Sequence, residues 1–104
     1  VIGDLHGRSA DGFVTDLVRR TAEADGFRTA CNDPYAGGHI VSSHGDPARG
    51  VHALQLELDR RCYLDSSAQA PGEGFDRASR LIENIALALG RALIDRQAGR
   101  LAAE

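Results

Sequence analysis

The spacing of apolar residues changes along this chain, and each spacing predicts a different element. Val1-Ile2-Gly3-Asp4-Leu5 is a short β run that ends in the polar turn His6-Gly7-Arg8-Ser9. Phe13, Val14, Leu17, Val18 and Thr21 then recur at helical spacing, with Ser9 or Asp11 as the amino cap and Gly26 as the stop. Residues 27–31 read as a second short strand, and the Pro and paired Gly of Asn32-Asp33-Pro34-Tyr35-Ala36-Gly37-Gly38 demand a loop. Residues 39–43 fit a strand or an extended loop equally well, and residues 45–50 form a turn. Between 52 and 58, apolar Leu54, Leu56 and Leu58 alternate with polar Gln55 and Glu57, so this segment is a strand with one buried and one polar face. A loop rich in Ser, Pro and Gly follows at 66–74. From Phe75 to about residue 101, the positions Phe75, Ala78, Ile82, Ile85, Leu89 and Leu93 line one face of a long helix.

This order of elements predicts an α/β fold, a mixed sheet with flanking helices. Three or four strands leave a face or an edge of such a sheet uncovered. Val1 also opens in what reads as a strand already under way. The expectation is therefore that residues 1–104 are the carboxyl-terminal portion of a single α/β domain, with its sheet completed by a preceding half.

Composition narrows the partners. The 104 residues include 42% hydrophobic and 26% charged side chains, enough apolar surface to order a domain. Large aromatics are scarce, with three Phe, two Tyr and no Trp, so a missing partner segment would be felt in the core. The net charge of −3 and the lack of a basic half argue against nucleic acid. Arg77, Arg80, Arg91, Arg96 and Arg100 alternate with acids at helical spacing and read as a solvated helix face. No apolar run approaches the roughly 20 residues of a membrane span, and no signal segment is evident, so the expected location is cytoplasmic. Cys31 and Cys62 lie far apart outside any CxxC pair and read as buried, reduced thiols.

Three places could carry chemistry. On a strand, Gln55, Glu57 and Asp59 project to one side. Glu57, between Leu56 and Leu58 near a strand end, is placed either as a general base at an active-site crevice or as a polar residue on a solvated edge strand. The loop 32–38 either approaches a ligand through its glycines, with Asn32 and Tyr35 as hydrogen-bonding groups, or is a plain tight connection. Asp4 and His6 after a strand match the first metal motif of calcineurin-like metallophosphatases, but that family's Gly-Asp motif with a downstream Asp-Arg-Gly, and its Gly-Asn-His motif, do not occur. His6, His39, His44 and His52 show no spacing that writes a self-contained zinc site.

Taken together, Val1 to Gly7, Asn32 to Gly38, His52-Ala53-Leu54-Gln55-Leu56-Glu57-Leu58 and Tyr63-Leu64-Asp65 resemble the carboxyl-terminal half of the N-formylglutamate amidohydrolase family. The resemblance implies a phosphorylase/hydrolase-like, zinc-exopeptidase architecture. It also implies hydrolysis of N-formyl-L-glutamate, or a similar small N-acyl amino acid, to formate and glutamate in histidine degradation. It implies a zinc ion whose ligands lie upstream of Val1, with Glu57 taking and returning the proton of the attacking water. Asn32, Tyr35, Gly37 and Gly38 then line the substrate pocket, and Arg60, with Arg8 second, meets a substrate carboxylate. Two positions depart from the family pattern: His39 stands where Tyr is usual and Asp59 where Asn is common. A reading from another class is a non-catalytic domain of the same fold that binds a small acid or a protein.

Overall fold

A computed structural model describes residues 1–103. Two strands, β1 (Ile2–Gly3) and β2 (Gln55–Leu56), pair antiparallel with Ile2 opposite Leu56 and Gly3 opposite Gln55. Both are shorter than the apolar runs that announce them. The predicted strand at 27–31 meets β1 through a parallel bridge between Ile2 and Cys31, held by Ile2 N–H to the Ala30 carbonyl and Asn32 N–H to the Ile2 carbonyl, each 2.8 Å. The sheet is thus a small antiparallel pair with one parallel neighbour, and helices pack on its core face. Glu57 N–H donating to the Val1 carbonyl at 2.9 Å continues the pairing past β2.

Helix α1 (Gly12–Ala24) buries Val14, Val18 and Ala22, one residue per turn. Asp11 precedes it in an extended conformation, but its side chain makes no capping bond. The carboxyl end closes as a Schellman motif: Gly26, at φ 85°, donates to the Glu23 carbonyl at 2.9 Å, and Phe27 donates to the Ala22 carbonyl at 3.0 Å. A left-handed residue is required there, which is why the helix stops at a glycine.

Helix α3 (Phe75–Ala103) packs on α1 and closes a core of Ile2, Val18, Ala22, Leu81 and Ile85, with Phe27, Leu54, Leu58 and Leu89 against it. Its buried face differs from the expected one. Ala78, Leu81 and Ile85 are buried, while Ile82 is 52% exposed and Phe75 43%. Apolar residues occur on more than one stripe of α3, and only the stripe that α1 and β1 reach is covered. The arginines are not all idle on the solvated side: Arg77 lies 4.4 Å over the Phe27 ring and donates to the Asp25 carbonyl at 2.8 Å, and Arg96 lies 3.7 Å over Phe13. These stacks fix the rotation of α3 about its axis. Cys31 is exposed rather than buried, and Cys62 is half-buried.

Residues 39–43, fitted equally by strand or extended loop, belong to a short helix, α2 (His39–His44). Only Val41 of this segment is buried, so no alternation was there to declare it. Single turns of 3-10 helix occur at Pro47–Arg49 and Arg60–Cys62. No helix among the described residues is long and apolar enough to cross a membrane.

A buried carboxylate ties the turn after β1 to the rest. Asp4 is 5% exposed. Its Oδ1 accepts from Gly7 N–H at 2.9 Å and Asn32 Nδ2 at 2.8 Å, and its Oδ2 accepts from the Thr15 hydroxyl at 2.6 Å. Asn32 Oδ1 in turn accepts from Asp4 N–H at 3.0 Å and His6 N–H at 3.3 Å. Leu5, His6 and Asn32 all take left-handed backbone angles, near +52°, +56° and +63°. Such angles are costly for Leu and His, and the Asp4–Asn32 knot is what over-determines them. Burial pushes the Asp4 carboxyl up, but the Thr15, Asn32 and Gly7 donors, with His6 nearby, outweigh it and hold it below its ordinary value.

Two outcomes follow. Leu81→Ala should cost about 2–4 kcal/mol in denaturant unfolding, against less than ~1 kcal/mol for Ile82→Ala; the reverse order would place the other stripe in the core. Asp4→Asn should destabilise by about 1–3 kcal/mol at neutral pH. Because the native carboxyl titrates below the unfolded one, its contribution is complete above about pH 4 and disappears as pH falls through the native value. The gap between wild type and Asp4→Asn should therefore narrow in acid, and a gap constant with pH would contradict this role.

Candidate functional site on the outer sheet face

Alternation along β1 and β2 separates two faces. Ile2 enters the core, so Gly3 and its partner Gln55 face the other way. A Cβ on Gly3 would lie 2.6 Å from the Ala36 carbonyl oxygen, closer than any real contact. The loop 32–38 therefore seats its backbone directly on β1, and Leu5 N–H donates to the Ala36 carbonyl at 2.9 Å. Gly37, at φ 124°, leaves room for Val41, whose Cγ2 would be 2.5 Å from an added Cβ. Small residues on both surfaces are what bring loop and sheet together.

On this face Gln55 bridges two groups. Its Oε1 accepts from Gly38 N–H at 3.0 Å, and its Nε2 donates to Glu57 Oε1 at 2.7 Å. The Glu57 carboxylate and the Gly37-Gly38 turn are thus joined through one side chain. Glu57 itself is exposed, as is Tyr35 at 55% on the same loop. Gln55 was placed beside Glu57 by the period-2 pattern, yet the sequence alone assigned it no part.

The other expected site residues have different surroundings. Asn32 bonds through its amide to Asp4 and the β1 turn, and so holds the loop there. Asp59 does not continue the row of Gln55 and Glu57. It caps the turn Arg60–Cys62 and accepts from Arg61 through side-chain and backbone N–H groups, with Nη2 at 2.6 Å and N–H at 2.9 Å. The Arg61 side-chain and then backbone bonds pull the Asp59 carboxyl down to about 2. Arg60, on the same turn, is exposed, and among the described residues its guanidinium makes no ion pair. Arg8 donates through Nε to the Leu5 carbonyl at 3.0 Å.

Two of the four histidines, His52 and His39, have defined side-chain surroundings. Asp11 N–H donates to His52 Nδ1 at 3.1 Å, which places the proton of a neutral ring on Nε2, and Phe13 meets that ring edge-on at 5.4 Å. His39 lies 3.3 Å from the Ser43 hydroxyl. Among the described residues no three His, Cys, Asp or Glu side chains converge as a metal set. Asp4 has both oxygens engaged, Oδ1 by Gly7 and Asn32 and Oδ2 by Thr15 of α1, so the leading ligand of the metallophosphatase alternative is committed to structural bonds.

Toward the core side an open groove of about 610 Å³ runs between the sheet and α3; Ile2, Phe27, Leu56, Leu58, Leu81 and Ile85 are among its lining residues, and Glu57 borders it too. Leu56 is 37% exposed there, so the alternating segment has an apolar face that is only partly covered.

The sequence model of N-formylglutamate amidohydrolase matches residues 1–64, which hold β1, the loop 32–38 and β2. An N-formylglutamate deformylase of Pseudomonas putida is 36% identical over 67 residues, 64% of this chain and 25% of that protein. One from Pseudomonas aeruginosa is 43% identical over 68 residues, 64% of this chain and 26% of the relative. The crystal structure of N-formylglutamate amidohydrolase from Ralstonia eutropha JMP134 superimposes with a TM-score of 0.74 at 30% identity, covering 94% of this chain and 34% of that one. That likeness runs beyond the matched residues 1–64 into α3. The chain spans about a quarter of the length of these deformylases. The sheet face that carries Glu57 lies wholly within the matched region, and by that match the chain belongs to the N-formylglutamate amidohydrolase family.

Proposed function

We propose that these residues form one part of the catalytic domain of an enzyme that hydrolyses N-formyl-L-glutamate, or a similar N-acyl amino acid, to formate and the free amino acid. Histidine degradation in the cytoplasm is the expected setting. The observation that carries this reading is the juxtaposition of the Glu57 carboxylate with the Gly37-Gly38 turn on one sheet face, inside the segment shared with the family.

Glu57 is the general base. Its carboxylate accepts a proton from water as the water oxygen bonds to the formyl carbon, and returns it to the amide nitrogen as the C–N bond breaks. Tyr35 and the Gly37-Gly38 turn border the substrate, and Asn32 serves it indirectly by fixing the loop. A dicarboxylic substrate needs a cation, since a desolvated carboxylate without one is costly. Arg60 suits that need better than Arg61, which is already committed to Asp59.

Zinc is the metal that the family resemblance implies. The described residues do not by themselves make a zinc set, and the steps above use only this chain's own groups. On this reading the ligands, and the cover for the groove beside β2, come from parts of the family fold with no counterpart in these 104 residues, which would also give the sheet its zinc-exopeptidase form.

The test is formate release from N-formyl-L-glutamate by the full-length protein. Glu57→Gln should keep its metal content and lose at least ~100-fold in kcat. Turnover unchanged by this substitution rules Glu57 out as the base.

A further inference from the structure

Gln55 is a residue whose two hydrogen bonds cannot be interchanged. Gly38 N–H is a donor only, so the atom that meets it must be the amide oxygen. With Oε1 held in this way, Nε2 is forced toward Glu57, where it donates at 2.7 Å to Oε1 of the carboxylate. The backbone of the loop thus dictates which end of the amide the carboxylate sees. Among the described residues Glu57 Oε2 has no hydrogen-bond partner, which leaves one oxygen held and the other open.

We propose that Gln55 is a positioning residue for the amidohydrolase reaction: it fixes the Glu57 carboxylate through one oxygen so that the other handles the proton, and it couples that orientation to the Gly37-Gly38 turn. This rests on the reading of Glu57 as the base. A carboxylate free to rotate about its side-chain bonds spends most of its time out of line with the attacking water, and a donor anchored at its far end removes that freedom. The same bridge transmits loop placement: a turn displaced from β1 releases the amide oxygen and with it the carboxylate. Loop residues that border the substrate and the group that performs the chemistry are in this way set by a single side chain.

Two substitutions in the full-length protein separate this role from simple loop anchoring. Gln55→Glu keeps an acceptor for Gly38 N–H but sets a second carboxylate against Glu57, in place of a donor. It should lower kcat tenfold or more with KM within about twofold of wild type. Gln55→Met is nearly isosteric and uncharged, loses both bonds, and should also lower kcat about tenfold or more. In the Glu57→Gln background, adding Gln55→Glu should change kcat by less than about twofold, because there is no longer a base to orient. Wild-type kcat in either single variant, with Glu57→Gln inactive, overturns the positioning role and leaves the base assignment standing. Wild-type kcat in Glu57→Gln overturns the base assignment and the positioning role together.

Discussion

Gly3 has no side chain, and the rest of the arrangement depends on that. Its strand is two residues long, yet Ile2 beside it enters the core while Gly3 accepts the Ala36 backbone at a distance no Cβ tolerates. The loop 32–38 can therefore lie flat on the sheet instead of arching over it. Leu5 binds the loop from one side and Gln55 from the other, and Glu57 is brought into the same cluster. The left-handed turn at Leu5 and His6 is part of the same constraint: the chain must leave β1 sharply to clear the loop, and the buried Asp4 carboxylate with its Asn32, Thr15 and Gly7 donors holds it there.

Several of these features could be read from the sequence because one local rule decides each. The helical spacing of Phe13, Val14, Leu17, Val18 and Thr21 and the glycine at 26 define α1, since an amphipathic period and a left-handed terminus are local demands. The Pro and paired Gly of 32–38 exclude regular structure on their own, and the order of four short motifs carries the family. What the sequence withheld depends on tertiary neighbours. α3 has apolar residues on more than one stripe, and only the approach of α1 and the stacking of Arg77 on Phe27 choose Leu81 over Ile82. α2 buries a single residue, so it has no period to detect. Asn32 suits both a ligand pocket and a backbone brace, and only its tertiary partners, Asp4 and His6, reveal the bracing bonds.

The two faces of the small sheet divide the work. One face is apolar and packs on α1 and α3, with a groove beside Leu56 and Leu58 that is open in this chain. The other is polar, built from Gln55, Glu57 and the glycine turn. The polar row is anchored through β1, whose Ile2 is packed in the core, while the layer behind Leu56 is open to the groove. Sequence alternation gives the two faces, but it takes the contact between Gly3 and Ala36 to put the loop on the polar one.

The seating of the loop on β1 is the claim most directly open to measurement, by amide hydrogen exchange in the protein and in its Gly3→Ala variant. The Leu5 and Gly38 amides, which donate to Ala36 and Gln55, should be protected in the wild type and lose about tenfold or more of that protection in the variant, while the Phe27 amide that closes α1 keeps its own. Equal protection of Leu5 and Gly38 in the two proteins would contradict the account.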